Sequence, residues 1–367
     1  MLSGVTVVDF SRYLPGPICT LRLADMGAEI IKVEAYPTGH LGRQSGPFTV
    51  DGRVSDLLTN RNKHSVAIDL RTAEGRELAF DLAVRADVVV ESFRPGVMEH
   101  LGLDYDSLIA VKPDLIYCSL TGYGQSGVMH QLGGHDLNYQ AVSGFLSLTR
   151  DSDGKPVISE IPIADYVGGL YAAEQICAAL VQRSVKRQGA YLDIASCDLL
   201  ASWMDMHSIL AEWGKRTSAD YCLSDLISYN IYETADSRYV ALAALEDKFW
   251  QNFCRAIGRM DLETIPDRSM SRHPEIYEEL KALFLTRTQA EWNELGMEVD
   301  CCLTVVEELD SWSEGLFITT RPFVSSTMSK SPLPYGADTH RILRKKLGCT
   351  DRQLAHYENL QIIPKER

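Results

Sequence analysis

The stretch VTVVDFSRYLPGPICTLRLADMGAEIIKVE (residues 5–34) decides the fold. Its first six residues form a β-branched run and predict a short strand. Residues 15–28 carry apolar side chains at helical spacing, and Gly27 is a stop signal. Residues 28–34, AEIIKVE, predict a second strand. A β-α-β opening implies two parallel strands joined by a right-handed crossover. A dinucleotide-binding turn would read G-x-G-x-x-G at this point. Here the turn is SRYLPGPICT, with one glycine between two prolines, and no phosphate-loop motif occurs elsewhere. The pattern is Rossmann-like, without support for NAD, FAD or ATP.

The alternation continues outward. Residues 36–59 are rich in Gly, Pro and Ser and read as a long loop, followed by a strand at 65–70. Residues 71–86 predict an amphipathic helix with Thr72 as N-cap. Strands are predicted at 87–93 and 115–124, an apolar helix at 168–184, and a strand running into a helix over 190–204. Strands alternating with helices point to an α/β open parallel sheet. Further on, residues 226–245 predict a hairpin around ADSR, with helices over 246–258 and 273–296. The expected organisation is a large α/β domain over 1–224, a smaller α+β domain over 225–325, and a segment over 326–367 whose helical part (339–363) returns to the first domain.

A chain of 367 residues suits two domains. Its net charge of −14 argues against a nucleic-acid surface, which needs clustered Lys and Arg. An anionic small ligand would need a local basic patch. No apolar run of ~18 residues predicts a membrane span, and the first residues lack the pattern of a signal peptide. The nine cysteines show no C-x-x-C and no zinc spacing, so reduced thiols in a cytoplasmic protein are expected. Cys301-Cys302 reads as an ordinary strand feature.

Four segments carry candidate chemistry. Arg61 and Lys63 in NRNKHS (60–65), and Arg94 before the turn residues Pro95-Gly96, are placed at one sheet edge as an anion seat. GGHD (133–136) joins two glycines, suited to close backbone approach or φ > 0, to His135. A histidine titrates near neutrality and suits a general base. Asp165 precedes the apolar helix, where it is either an N-cap or part of a helix N-terminus suited to an oxyanion. No metal site is expected, since no second ligand accompanies His135 at helical spacing.

These segments occur in a fixed order: VVDFSRYLPGP (7–17), ADMGAEIIKVE (24–34), NRNKHSVAIDL (60–70), FRPGVMEHLGL (93–103), GYGQSG (122–127), GGHDLNYQAVSG (133–144) and IADYVGG (163–169). In that order they resemble the family III CoA-transferases, also called the CaiB/BaiF family, over nearly the whole chain. Within it the chain is most similar to the α-methylacyl-CoA racemase branch. The transferases form an acyl anhydride on an aspartate that matches Asp165. They usually carry Tyr where this chain has His135, and the racemases carry His there. The racemase branch also has a Glu that matches Glu246. The resemblance implies a Rossmann-like large domain, a small domain and an interlocked homodimer. It implies CoA bound as part of an acyl-CoA substrate, with no further cofactor. By position it brings Arg61, Lys63 and Arg94 near the CoA phosphates, with Asn62, Ser65, Glu91, Phe93, Gly134 and Tyr139 beside the ligand. Ala35-Tyr36 stands where racemases have a basic residue. The expected reaction inverts the α-carbon of a 2-methylacyl-CoA. His135 and Asp165 would be the two bases, Asp136 and Glu246 would orient His135, and N–H groups at the helix start would hold the enolate oxygen. In the rival reading, Asp165 attacks the thioester and moves CoA to a carboxylic acid. Met129, Met204 and Met206 are candidates for an acyl-chain surface.

Overall fold

The computed structural model describes residues 1–39, 59–151, 153–214, 223–308 and 334–366. Most of the 36–59 loop and the start of the 326–367 segment therefore lie outside the described residues. Two compact units are present: residues 1–205 with 322–367, and residues 206–321.

The first unit opens with β1 (Thr6–Asp9), α1 (Pro15–Asp25) and β2 (Glu29–Ala35), as the opening stretch predicts. Next come β3 (Lys63–Ile68), α2 (Ala73–Ala83), β4 (Val88–Glu91), α3 (Val97–Leu101), α4 (Tyr105–Ile109) and β5 (Ile116–Thr121). Then follow α5 (Asp136–Val142), α6 (Phe145–Leu148), α7 (Ile163–Lys186), β6 (Ala190–Ala195) and α8 (Ser196–Ser202); α9 (Asp205–Gly214) belongs from Met206 on to the second unit. Thr72 caps α2 as expected, its side chain accepting the Gly75 N–H.

The six strands form one parallel sheet in the order β3-β2-β1-β4-β5-β6. Both faces are covered, so the strands read as nearly continuous apolar runs. Val8, Ile31, Val66, Val89 and Tyr117 pack with Leu78 and Leu82 of α2 and Leu108 of α4. Val7, Ile30, Val88 and Ile116 pack with Leu23 of α1 and Ile176 of α7. The strand order reverses between β1 and β4. In such sheets ligands bind in the crevice outside the strands' C-terminal ends at that reversal.

The second unit holds β7 (Tyr229–Glu233) and β8 (Tyr239–Ala243), paired antiparallel as the predicted hairpin. It continues with α10 (Asp247–Ala256), α11 (Pro274–Phe284), α12 (Gln289–Glu298) and β9 (Leu303–Val305), which pairs with β8. Residues 273–296 are thus two helices, not one. Thr288 starts a fresh helix by accepting the Glu291 N–H while Glu291 accepts the Thr288 N–H at 2.8 Å. Cys301 and Cys302 precede β9 instead of lying in it, and Cys302 has φ 56°. The chain then contributes α13 (Thr339–Ile342), a π turn over Leu343–Leu347, and α14 (Asp351–Asn359) to the first unit. Ile342 and Leu354 complete its core beside Val66.

Candidate active site

β1, β4 and β5 run parallel, so the segments after Asp9, Glu91 and Thr121 leave the sheet at one edge. Those segments, the loop before α5 and the start of α7 enclose a cavity of about 240 Å³. Its wall includes Arg12, Phe93, Arg94, His130, Gly134, His135, Tyr139, Asp165 and Ser196. A second cavity of about 720 Å³ shares Arg12 and Phe93 with it and is also lined by Tyr36, Arg71, Arg76 and His100.

His135 immediately precedes α5, and Asn138 Oδ1 accepts its backbone N–H at 3.0 Å. Its ring meets Tyr13 edge to face, with centroids 6.2 Å apart and planes at 86°. The glycines before it are needed for approach, not for φ, since neither has a positive φ. A Cβ on Gly133 would lie 2.9 Å from an Arg94 guanidinium nitrogen. One on Gly134 would meet the rings of Tyr139 and Tyr123 at 2.8 and 2.9 Å. Tyr139 donates its hydroxyl to the Gly134 carbonyl at 2.6 Å, which ties α5 to the loop.

Asp165 lies in the first turn of α7, so it is not the N-cap. Burial, and then the nearby Asp136, push its carboxyl up to about 7. Asp136 does not orient His135 in this arrangement. Its Oδ1 accepts the N–H groups of Ala164 at 2.7 Å and Asp165 at 3.2 Å, and its other oxygen accepts from the Gln140 amide. It caps α7 from across the cavity wall and so positions Asp165. The Tyr166 N–H goes to the Pro162 carbonyl at 3.1 Å. Of the N–H groups expected to hold an enolate oxygen at this helix start, those of Ala164, Asp165 and Tyr166 are therefore already engaged.

The basic loops separate. Lys63 begins β3, at the sheet's N-terminal edge, whereas Arg94 follows β4 at the C-terminal edge. Arg61 pairs with Asp25 at 2.7 Å, and Asn62 Nδ2 reaches the same carboxylate at 3.4 Å. Lys63 is buried, and its ammonium donates to Pro17 O at 2.9 Å and Thr20 Oγ1 at 2.7 Å. Ser65 donates to Glu34 at 2.5 Å. Glu91 is buried and accepts the Phe93 N–H at 2.7 Å, and burial pushes its carboxyl up to about 7. Arg61, Asn62, Lys63, Ser65 and Glu91 do not line the cavity; Phe93, Arg94, Gly134 and Tyr139 do. Met129 and Met204 do not line it, and Met206 belongs to the second unit. Glu246 is an exposed residue just before α10 in that unit.

Two basic residues of the cavity, Arg12 and His130, were not singled out from the sequence. Arg12 sits in the first βα turn, whose position alone marks it. His130 gives no sequence signal; its Nδ1 lies 2.6 Å from the Gly127 carbonyl. Among the described residues no group of three or more His, Cys, Asp and Glu side chains could hold a metal ion. No described helix is long and apolar enough to cross a membrane.

A sequence profile described as CoA-transferase family III matches residues 2–334. The chain is 31% identical over 356 residues to α-methylacyl-CoA racemase of Homo sapiens, covering 93% of this chain and 88% of that protein. It is 35% identical over 266 residues to succinate–glutarate CoA-transferase of Agrobacterium fabrum, covering 70% of this chain and 66% of that protein. The solved structure of a CaiB/BaiF family protein from Brucella suis is similar with a TM-score of 0.76 at 25% identity, covering 94% of this chain and 99% of that one.

Proposed function

The chain belongs to CoA-transferase family III, and from that premise we propose that it is an acyl-CoA racemase acting on 2-methylacyl-CoA thioesters. The observation that carries this reading is the pairing of His135 and Asp165 on one cavity, with the Asp165 carboxyl raised to about 7. Inversion of an α-carbon needs a base on one face and an acid on the other. One residue takes the α-proton, the thioester carbonyl takes up the electron pair as an enolate, and the other residue returns a proton to the opposite face. In the reverse direction the two exchange roles. A carboxyl poised near neutrality is present in both protonation states at working pH, which suits that exchange. Asp136 supports the step by fixing Asp165 through two backbone bonds. Phe93, Arg94, Gly134 and Tyr139 are the residues of this wall that we assign to CoA.

The second reading is CoA transfer through an acyl anhydride on Asp165. Its specific support is the half-buried placement of Asp165 on the cavity wall and the likeness to a named transferase. A nucleophile, however, must be ionised, and a raised carboxyl works against that.

The test uses a single-enantiomer 2-methylacyl-CoA in D₂O. Deuterium should enter the α-position with loss of optical purity, and His135→Ala should reduce this by about 10²–10⁴ fold. Absence of α-exchange, together with hydroxylamine capture of an acyl group on Asp165, would establish the transferase instead. Glu246→Gln in the same assay measures what the acid of the second unit contributes. We also read the exposed apolar residues Leu137, Val142, Leu148, Tyr166 and Leu170 of the first unit as covered by a second copy of the chain. Sedimentation at a monomer mass would remove that reading.

A further inference from the structure

Arg12 stands where the two cavities of the first unit meet. Its guanidinium lies over the Phe93 ring, 4.6 Å from the centroid. It is half-buried and has no carboxylate partner among the described residues. A desolvated guanidinium without an anion is costly, whereas stacking on a ring leaves its planar fork of donors aimed outward. That arrangement is suited to a bidentate oxyanion.

The turn that carries Arg12 is over-determined from beneath. Asp9, at the end of β1, is fully buried. It accepts the Ser11 N–H at 2.8 Å and the hydroxyls of Ser11 and Thr20 at 2.5 Å each. The buried Lys32 donates to Asp9 at 3.3 Å and to the Ser11 carbonyl at 2.5 Å. Lys63 reaches the other Asp9 oxygen at 3.4 Å. A Cβ on Gly16 would lie 2.2 Å from Ser11 Cβ, so only glycine lets the turn fold back on α1. Ser92 Oγ then accepts the Arg12 N–H at 2.8 Å, which joins the turns after β1 and β4. The next residue, Tyr13, is held at φ 61°, a left-handed conformation unusual for a bulky side chain.

We infer that Arg12 is a seat for an oxyanion of the ligand, a phosphate or a carboxylate, and that Asp9 and Lys32 are positioning residues that act through it. The inference rests on the CoA reading of the site: CoA supplies phosphates, and the carboxylic acid acceptor of the transfer reading supplies a carboxylate.

Calorimetric titration of the full chain with CoA, inorganic pyrophosphate and glutarate tests it. Arg12→Ala should weaken CoA by about tenfold or more at a phosphate seat, and glutarate by as much at a carboxylate seat. Pyrophosphate affected and glutarate unaffected identifies a phosphate seat, and the reverse identifies a carboxylate seat. CoA, pyrophosphate and glutarate each bound equally by wild type and Arg12→Ala overturns the seat while the functional reading stands. Pyrophosphate binding that Arg12 controls, with no CoA binding by wild type, overturns the functional reading and keeps the seat. Binding of none of the three probes overturns both. Lys32→Met leaves the Asp9–Lys63 pair in place and should weaken CoA about three- to tenfold. Added to Arg12→Ala it should cost nothing more, because its effect runs through Arg12. Additive losses would show a merely structural role and overturn the positioning claim. Should Lys32→Met fail to fold, Ser11→Ala, which removes one hydroxyl bond to Asp9, takes its place in the same cycle.

Discussion

Arg61-Asn62-Lys63 and Phe93-Arg94-Pro95 look alike in the sequence: each is a basic loop beside a strand of one parallel sheet. The structure puts them at opposite ends of that sheet and in opposite states. Lys63 is buried, and burial pulls its ammonium down to about 7. Arg94 is exposed on the cavity wall. The difference lies in what each side chain meets. The Lys63 ammonium reaches the buried Asp9 carboxylate and the Pro17 carbonyl and Thr20 hydroxyl of α1, whereas Arg94 follows β4 onto the ligand-binding edge and the cavity wall. Basic character alone does not make an anion site.

The largest expected effect breaks the buried side of this comparison. Asp9→Ala strands two buried lysines without their counter-charge, and removing one partner of a buried ionic cluster costs about 3–5 kcal/mol. Urea unfolding at pH 7 should register that loss. Arg94→Ala should stay within about 0.5 kcal/mol of wild type while raising KM for the thioester about tenfold. The two basic segments would lose their distinction if Arg94→Ala unfolded the protein and Asp9→Ala left it intact.

The second effect reverses sign. Asp165 has a folded pKa of about 7, above its ordinary value of 3.8. Its contribution to stability is fully present below the ordinary pKa and is lost as pH rises toward 7, because the folded state resists ionising it. Asp165→Asn should therefore stabilise the protein by on the order of 2 kcal/mol at pH 8 and by nothing measurable at pH 4. Activity should fall at both. Melting curves of the two proteins at the two pH values provide the check, and equal midpoints at pH 8 would remove burial as the source of the raised pKa. Such a site is stabilised by losing its function.

The fold was readable where local pattern and long-range packing agree. Residues 5–34 carried β1, α1 and β2 in order because both faces of the sheet are covered, which makes each strand an uninterrupted apolar run. Residues 273–296 misled because the break at Thr288 is a capping box, a local polar device inside an amphipathic stretch. At the site, His135 and Asp165 were readable and do share a cavity. The partner of Asp136 was not. Sequence adjacency pairs it with His135, whereas a helix start twenty-eight residues away takes its carboxylate. Periodicity does not report such cross-loop caps. Nor does it report which of two basic loops becomes buried, since that depends on the elements packed over each.

The smallest expected effect concerns His130, which the sequence did not single out. Its Nδ1 faces the Gly127 carbonyl at 2.6 Å, and a carbonyl only accepts, so Nδ1 carries the hydrogen. Nε2 is then the free acceptor, and the ring lines the same cavity as Arg94, within reach of the ligand. His130→Asn keeps an N–H close to the Nδ1 position and can preserve the turn to Gly127, but it has no group at Nε2. Its melting midpoint should match wild type, and kcat/KM should fall about threefold. An unchanged kcat/KM would assign His130 to the turn alone. Arg94 would then stand with Arg12 as the cationic side of this wall, which the buried Lys63 never joins.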